Sequence, residues 1–436
     1  MLRTHLSLAA YSALAWAAQP LLKRKLRRRA QAEPVYGEAV PERFGHYTPA
    51  DLGQDARGRW VWVHAVSLGE TRAAALLLHE LRAAMPGMRL LLTHGTATGR
   101  TEGQKLLQPC DVQVWQPWDS RAVVQRFLQQ FQPAVGVLME TEVWPNLVAG
   151  CHKAGIPLVL ANARMNQKSQ QGALRWPSLF FATYRSLHAV WPQTEEDAQR
   201  LRSVQAPVKA VMGNLKFDVQ PSPAALAQGQ VWRAASHRPV VMVASSREGE
   251  EAQWIAQWAG RKFHGVAGQC QWLIVPRHPQ RFDEVFDLLT QAGLRVARRS
   301  QWGDGLPPTD VDVWLGDSIG EMPVYYAAAD IGLLGGSFEP LGGQNLIEAA
   351  ACACPMVLGP HTFNFAQASQ MACEVGAAFR VLDMEQGVQL ATALVKDAQG
   401  LSRARQAAQD FAQSHRGAAK ATAQAIAAIA QPRLIK

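Results

Sequence analysis

From residue 60 onward, short apolar runs alternate with longer amphipathic segments. The apolar runs have the length of buried strands, and the amphipathic segments, such as 71–85 before Pro86-Gly87, have the length of helices. Strands that alternate with helices predict a parallel sheet covered on both faces. The first half is therefore predicted to be a doubly wound α/β domain. Its predicted strands are residues 60–66, 89–93, 112–115, 134–139, 157–161 and 189–191.

A second series of strands follows residues 219–230, which carry two prolines and little periodicity. A chain of 436 residues is too long for one ordinary core, so two domains are expected. We predict a first domain over 31–218, a linker over 219–235 and a second domain over 236–436, which includes a long C-terminal helix within 401–430. The predicted strands of the second domain are residues 240–244, 272–275, 311–315 and 331–334.

Polar residues follow the predicted strands of the first half. Glu70 comes after the first strand, residues 94–99 after the second, and Glu140 and Glu142 after the strand that ends at Met139. Ligands in doubly wound folds bind at the carboxyl ends of the strands. Glu70 also lies where a helix begins, so its carboxylate either complements the helix dipole or serves as a general base.

Further polar groups stand at later strand ends. Asn162 and Arg164 follow one strand, and Lys216 lies near the end of the first half, where it is either a solvated surface cation or a charge that neutralises an anionic substrate. Arg277, after the strand at 272–275, is the best candidate for gripping an anion because guanidinium binds phosphate or carboxylate bidentately. A helix predicted over 322–329 offers a further anion or base contact through Ile319, Gly320 and Glu321 at its start.

Residues 335–360 follow the strand 331–334 and read as a glycine turn, a helix and another strand. Gly342-Gly343 precede a helix that has Asn345 and Glu348 in its first turn. Free backbone N–H groups at such a helix start suit a phosphate, and an acidic residue one turn later can accept hydrogen bonds from ribose hydroxyls. The alternative is that Asn345 and Glu348 form a simple capping pair.

The net charge of the chain indicates the class of its partner, and its cysteine content bears on disulfides and metal sites. The chain has 44 Lys and Arg against 35 Asp and Glu, a net charge of +9, which favours an anionic partner such as nucleic acid, anionic lipid or a phosphorylated substrate. Six cysteines without a CxxC pair indicate reduced, mostly buried thiols and no structural metal site.

The N-terminal segment predicts membrane attachment. Residues 6–22 are mostly apolar, and six cations follow directly within 23–29. A signal peptide carries its charge before the apolar run, whereas cations after the run hold the remaining chain on the cytoplasmic side. Residues 1–30 are therefore predicted to be a membrane anchor, spanning or interfacial, with a soluble amphipathic helix as the alternative.

Several strings of residues together resemble the 3-deoxy-D-manno-octulosonic acid (Kdo) transferases, glycosyltransferases of lipid A biosynthesis. The resemblance runs in order from the N-terminal segment to about residue 380. The strings are 67–70 (SLGE), 140–146 (ETEVWPN), 162–164 (NAR), 213–218 (GNLKFD), 275–279 (VPRHP), 316–317 with 320–321 (GD and GE), and 359–365 (GPHTFNF).

The resemblance implies the glycosyltransferase B fold, in which two Rossmann-like domains face a central cleft, here with an N-terminal membrane-anchor helix. It implies inverting transfer of Kdo from CMP-Kdo to lipid IV-A at the cytoplasmic face of the inner membrane, where the enzyme also meets anionic lipid. Neither a cofactor, a metal nor nucleic acid is implied. Glu70 would be the general base, assisted by Glu140 and Lys216. CMP would be bound by Pro276, Arg277, Ile319, Gly320, Glu321, Asn345, Leu346, Ile347 and Glu348.

The departures from the family pattern are few. Gln344 stands where the family often has His, Leu346 and Ala349 replace common prolines, and Ser246-Arg247 replaces Thr-His. Gln cannot titrate, so an acid role at position 344 is not expected. The alternatives to Kdo transfer are a glycosyltransferase of the same fold with a UDP-sugar donor, a membrane-attached nucleotide-sugar epimerase, and a non-catalytic protein that binds sugars or nucleotide sugars.

Overall fold

The computed structural model describes residues 2–48, 60–259, 269–302 and 305–434. The chain divides into two compact units. The first unit comprises Met1–Asp218 with Arg416–Lys436, and the second comprises Val219–His415.

Two helices open the first unit, α1 (Leu2–Ala17) and α2 (Gln19–Ala32). The Ser12 hydroxyl donates to Asn146 Oδ1 (2.6 Å) and the Trp118 indole donates to the Ala15 carbonyl (2.8 Å), which fix α1 to the body of the unit. Leu26 of α2 is buried with Tyr36 and Trp115. Among the described residues, no helix combines the length and the apolar character needed to cross a membrane.

The first unit is built on a six-stranded sheet in which every pair is parallel. Its strands are buried because helices cover both faces, as the continuous apolar runs predict. The strands are β1 (Trp60–His64), β2 (Arg89–His94), β3 (Val112–Trp115), β4 (Val135–Met139), β5 (Leu158–Ala163) and β6 (Ala189–Pro192). The helices are α3 (Leu68–Ala84), α4 (Ala97–Gln104), α5 (Arg121–Phe131), α6 (Pro145–Lys153), α7 (Gln167–Arg175), α8 (Pro177–Arg185) and α9 (Glu195–Ser203).

The strand order of this sheet is β3-β2-β1-β4-β5-β6. The chain starts in the middle, runs outward to β3 and returns to the other side of β1 with β4, so Val61 pairs with Val135. The crossovers diverge between β1 and β4, and the carboxyl end of such a switch point is where ligands bind in open α/β sheets.

The second unit contains a seven-stranded parallel sheet of order β13-β12-β11-β7-β8-β10-β9, whose switch point lies between β7 and β11. The strands are β7 (Val240–Ser246), β8 (Gln271–Pro276), β9 (Val296–Arg298), β10 (Val313–Leu315), β11 (Ile331–Leu334), β12 (Met356–Leu358) and β13 (Ala378–Arg380). The helices are α10 (Pro223–Ala235), α11 (Glu250–Ala259), α12 (Phe282–Gln291), α13 (Met322–Ala328), α14 (Leu346–Ala351), α15 (Ala366–Glu374), α16 (Met384–Leu394) and α17 (Ala398–Ser414).

The last helix, α18 (Ala418–Leu434), returns to the first unit and packs against α3. The carboxylate of Asp218 accepts hydrogen bonds from the backbone N–H groups of Gly417 and Ala419, the second at 2.7 Å. The single long helix expected within 401–430 is therefore broken, at Gly417, whose φ of +105° an L side chain rarely adopts. The tail also differs from the prediction in belonging with the first unit.

Much of the segment predicted as a linker, 219–235, is helical. Ser222 caps α10 by accepting a hydrogen bond from Ala225 N (3.1 Å), and Pro223 takes the first helical position. Proline is tolerated there because that backbone N–H has no partner within the helix. Here a proline marks the start of a helix rather than a flexible connection.

Candidate active site

Glu70 lies in the first turn of α3, directly after β1. Its Oε2 accepts a hydrogen bond from Val66 N (2.8 Å) and its Oε1 accepts one from the Ser67 hydroxyl (3.1 Å). Ser67 in turn caps the helix by accepting from Glu70 N (3.3 Å). Glu70 is thus part of a capping pair, and an ionised carboxylate has acceptor sites beyond these two bonds. The capping hydrogen bonds fix the position of the carboxylate and leave lone pairs that can still accept a proton.

Burial changes the acidity of this carboxyl. Loss of hydration raises the pKa of Glu70 to about 7; the hydrogen bond from Val66 opposes the rise, and the negative charges of Glu142 and Glu140 add to it. A carboxyl with a pKa near the working pH is a suitable general base, because it is partly ionised yet holds a proton readily once it has taken one.

Glu140 follows β4, the strand beside β1 at the switch point. Its φ of +54° is unusual for a residue with a side chain. Glu140 Oε1 lies 3.6 Å from Lys216 Nζ, Glu140 Oε2 lies 3.9 Å from an Arg164 guanidinium nitrogen, and the Asn162 amide donates to Oε1 at 3.4 Å. Two cations therefore surround this half-buried carboxylate.

Asn162 joins the segments that carry this cluster. Its φ is +52°, and its Oδ1 accepts a hydrogen bond from Leu215 N (3.1 Å). The next residue in the chain, Lys216, has its own backbone N–H bonded to Asn214 Oδ1 (3.0 Å). The structure therefore brings Glu70, Glu140 and Lys216 to one edge of the sheet.

Glu142 is the second carboxylate of this loop. Its Oε2 accepts a hydrogen bond from the Trp144 indole (2.9 Å). Burial raises its pKa, the Trp144 hydrogen bond lowers it, and the charge of Glu140 raises it. The negative charges of both loop glutamates raise the pKa of Glu70.

In the second unit, the glycine turn after β11 is organised by a residue that sequence reasoning did not single out. The carboxylate of Glu250 is completely buried and accepts hydrogen bonds from the backbone N–H groups of Gly336 (2.8 Å), Phe338 (3.0 Å) and Arg247 (2.9 Å). Burial raises its pKa, and these bonds oppose the rise. The only signal in the sequence is that 245–251 forms a polar group at a helix start.

The same turn lies very close to β7. A Cβ built on Gly335 would stand 2.1 Å from the carbonyl oxygen of Ser245, so a side chain cannot fit there. This close approach joins the carboxyl ends of β7 and β11, which form the switch point of the second sheet.

Asn345 and Glu348 form the capping pair that was the structural alternative for this helix start. Asn345 Oδ1 accepts from Ile347 N (3.1 Å), and the Asn345 amide donates to Glu348 Oε1 (3.2 Å). The side chains of Leu346 and Ile347 are buried in the core, so these two residues can meet a ligand only through their backbone.

Pro276 ends β8, and Arg277 follows with an exposed side chain. The backbone N–H of Arg277 donates to the Ser246 carbonyl (3.0 Å), which ties the ends of β8 and β7 together. Burial raises the pKa of the Tyr326 phenol; the charge of Glu348 adds to the rise and that of Arg277 opposes it. Arg277 and Glu348 therefore both lie within electrostatic reach of Tyr326.

The segment before α13 is predicted to offer an anion or base contact through the backbone of Ile319, Gly320 and Glu321. The side chain of Glu321 is bonded within the protein: its Oε1 is 2.8 Å from the Arg299 guanidinium, and its Oε2 accepts hydrogen bonds from Ser318 and from Tyr325 (3.4 Å). These partners satisfy its carboxylate. Ile319 is 79% exposed and Gly320 is exposed as well, so this stretch of the chain lies at the surface.

In the parts of the chain that the structure describes, no group of three or more His, Cys, Asp and Glu side chains is placed to hold a metal ion. The two clusters are thus of different chemistry. One is a set of carboxylates and cations at the switch point of the first sheet, and the other is a glycine turn with Arg277 and Glu348 at the ends of β7, β8 and β11.

Comparisons with known proteins give a matching family model and relatives that span nearly the whole chain. A family model for 3-deoxy-D-manno-octulosonic-acid transferase (kdotransferase) matches residues 38–219. The 3-deoxy-D-manno-octulosonic acid transferase of Bordetella pertussis is 42% identical over 409 residues, which cover 92% of this chain and 94% of that protein. The Haemophilus influenzae enzyme of the same name is 29% identical over 415 residues, covering 94% and 95%.

The fold has counterparts among solved structures. A glycosyltransferase from Rickettsia africae ESF-5 superposes with a TM-score of 0.54 at 12% identity, covering 86% of this chain and 98% of that one. This likeness concerns the fold alone. Because the Bordetella pertussis match spans nearly all of both proteins, the chain belongs to the 3-deoxy-D-manno-octulosonic acid transferase family and is a glycosyltransferase.

Proposed function

We propose that the chain transfers Kdo from CMP-Kdo to lipid IV-A, with Glu70 as the general base. The observation that carries this proposal is the position and acidity of Glu70, a carboxyl with a pKa of about 7 at the switch point of the first sheet. Membership of the family supports Kdo as the sugar that is transferred.

In the proposed reaction, Glu70 accepts the proton of the acceptor hydroxyl. The hydroxyl oxygen forms a bond to the anomeric carbon of Kdo, and the bond from that carbon to the phosphate oxygen breaks. CMP leaves with the electron pair, and attack from the opposite face inverts the anomeric carbon. Glu140 Oε1 lies 3.6 Å from Lys216 Nζ and holds this cation beside the site. The positive charge of Lys216 then offsets the negative charge that develops in the transition state.

The donor is assigned to the second unit. Arg277 and the backbone N–H groups of Leu346 and Glu348 at the start of α14 suit the phosphate, and the Glu348 carboxylate suits the ribose hydroxyls. Pro276, Ile319, Gly320, Leu346 and Ile347 contribute backbone contacts in this assignment. Glu321, whose carboxylate is bonded to Arg299, contributes its backbone in the same way.

Action at the cytoplasmic face of the inner membrane follows from the chemistry of a phosphorylated lipid acceptor. Helix α2 exposes six cations, Lys23, Arg24, Lys25, Arg27, Arg28 and Arg29. Helix α1 exposes Leu6, Leu14 and Trp16. Exposed cations beside exposed apolar side chains suit the surface of an anionic bilayer.

The direct test is to incubate the purified full-length protein with CMP-Kdo and lipid IV-A and to count the sugars gained by mass spectrometry. We expect transfer by the wild type and none by Glu70→Gln, with CMP binding retained. If UDP stabilised the protein against heat more than CMP did, the donor would not be CMP-Kdo. Transfer by Glu70→Gln would exclude Glu70 as the base.

The chain offers a matched control. At the start of α9, Asp197 N donates to Thr194 Oγ1 (3.0 Å), the Thr194 hydroxyl donates to Asp197 Oδ2 (2.9 Å), and Met165 N donates to Oδ1 (2.9 Å). This arrangement repeats the bonds of Glu70 at another helix. Asp197→Asn therefore reports the effect of altering a capping carboxylate alone, and we expect it to retain transfer.

A further inference from the structure

A large cavity lies in the first unit between α1, α5, α6 and α8. It has a volume of about 1300 Å³, above the usual range for small-molecule sites. Every residue that lines it belongs to the first unit, and none of the predicted site residues is among them.

The floor of this cavity is apolar. Leu8, Val124, Leu128, Ile156 and Leu179 line it. A concave apolar floor is the usual lining of a site that binds an apolar ligand.

Three of the hydroxyl groups that line the cavity have acceptors within the protein. Thr183 and Ser186 donate to the carbonyls four residues earlier, both at 2.8 Å, and Ser12 Oγ lies 2.6 Å from Asn146 Oδ1 and 2.8 Å from the Leu8 carbonyl oxygen. Their protons are thus donated without a ligand. They leave mainly carbon atoms for an occupant to contact.

The charges around the cavity have one sign. Arg121, Lys153 and Arg433 line it with exposed side chains, and among the described residues that line it none is Asp or Glu. An occupant with an apolar body and an anionic head matches this pattern, because cations at the rim attract the head while the floor contacts the body.

The cavity also reaches toward the catalytic edge of the sheet. It runs along the whole of α6, from Pro145 and Asn146 at one end to Lys153 at the other. Pro145 comes three residues after Glu142 in the chain, so this end of the cavity adjoins the loop that carries the site carboxylates.

We infer that this cavity binds a hydrocarbon chain of an anionic amphiphile. The identification of that amphiphile as the lipid acceptor rests on the proposed function, but binding itself does not. The inference gives the acceptor a second point of attachment, separate from the hydroxyl that reacts.

The test uses dodecyl phosphate, which joins one alkyl chain to one anionic group, and full-length protein in isothermal titration calorimetry. Ala182→Trp on α8 fills the cavity and should weaken binding at least tenfold. Ala149→Phe fills it from α6 and should act in the same direction, which guards against a folding defect in either variant. Ala83→Trp, on an exposed position of α3 outside the cavity, is the control and should bind like the wild type.

Lys153→Gln tests the rim. It should weaken dodecyl phosphate and leave dodecanol binding unchanged. The inference is overturned if the wild type does not bind dodecyl phosphate, or if Ala182→Trp and Ala149→Phe bind it as tightly as Ala83→Trp. Because these measurements need no donor, they stand or fall separately from the transfer reaction.

Discussion

Replacing Glu70 by Gln should change activity and stability in opposite directions. The variant should lose transfer activity and, as the pH rises, gain stability relative to the wild type. The pKa of this carboxyl is about 7 in the folded chain, whereas an unperturbed glutamate titrates at 4.5. Between these values the folded protein holds a proton that the unfolded chain has released. Its stability therefore falls as the pH rises through this window, and a Gln side chain, which never ionises, avoids the loss.

The expected magnitude follows from the same two values. At about 1.4 kcal/mol per pH unit, the Gln variant should gain about 2.5 kcal/mol of unfolding free energy relative to wild type between pH 5 and pH 8. Any fixed cost of altering the bonds to Val66 and Ser67 is the same at both values and cancels in the difference. The transfer rate of the wild type should increase with pH while its stability decreases. The rate should rise about tenfold from pH 6 to pH 8 as Glu70 ionises.

The assay is urea unfolding of the wild type and the Glu70→Gln variant at pH 5 and pH 8, with the transfer rate measured from pH 5.5 to pH 8.5. A free-energy difference between the two proteins that is the same at both pH values would show that the carboxyl is not raised by burial. A flat pH–rate profile below pH 7, with chemistry rate-limiting, would refute its role as base.

Three further predictions concern neighbouring carboxylates and the donor site. Glu142→Gln removes a negative charge that raises the pKa of Glu70, so the acidic limb of the pH–rate profile should move to lower pH; an unmoved limb would contradict the link. Glu250→Gln should leave at least one buried backbone N–H near Gly336 without an acceptor and cost about 2 kcal/mol of stability in urea unfolding, whereas Glu248→Gln, at an exposed position, should cost little. Arg277→Ala should weaken CMP binding about tenfold by calorimetry, and unchanged affinity would remove it from the donor site.

The strands and their polar carboxyl ends were accessible from sequence because each buried parallel strand is a continuous apolar run that ends abruptly at a polar residue. The end of β4 shows this, where Met139 is followed by Glu140. The capping pairs at Glu70 and Asn345 could be read from local spacing as well. Local spacing cannot say whether a capping carboxylate is also reactive, because that depends on burial and on charges from another loop.

The features that sequence reasoning missed all depend on contacts between distant residues. The Glu250 carboxylate accepts a hydrogen bond from Gly336 N, 86 positions away, and no local sequence pattern predicts that contact. The break at Gly417 is equally hidden, since an alanine-rich tail looks like one continuous helix until Asp218 and α3 supply partners for its second half.

Because α18 returns to the first unit, that unit can finish folding only after α18 has been synthesised. Ile426 and Ala430 complete the core that backs α3, the helix that carries Glu70. A ribosome must therefore translate the whole second unit and α18 before this core can close. A premature stop codon between positions 417 and 426 would leave the second unit intact and remove the residues that support α3, the helix that carries Glu70.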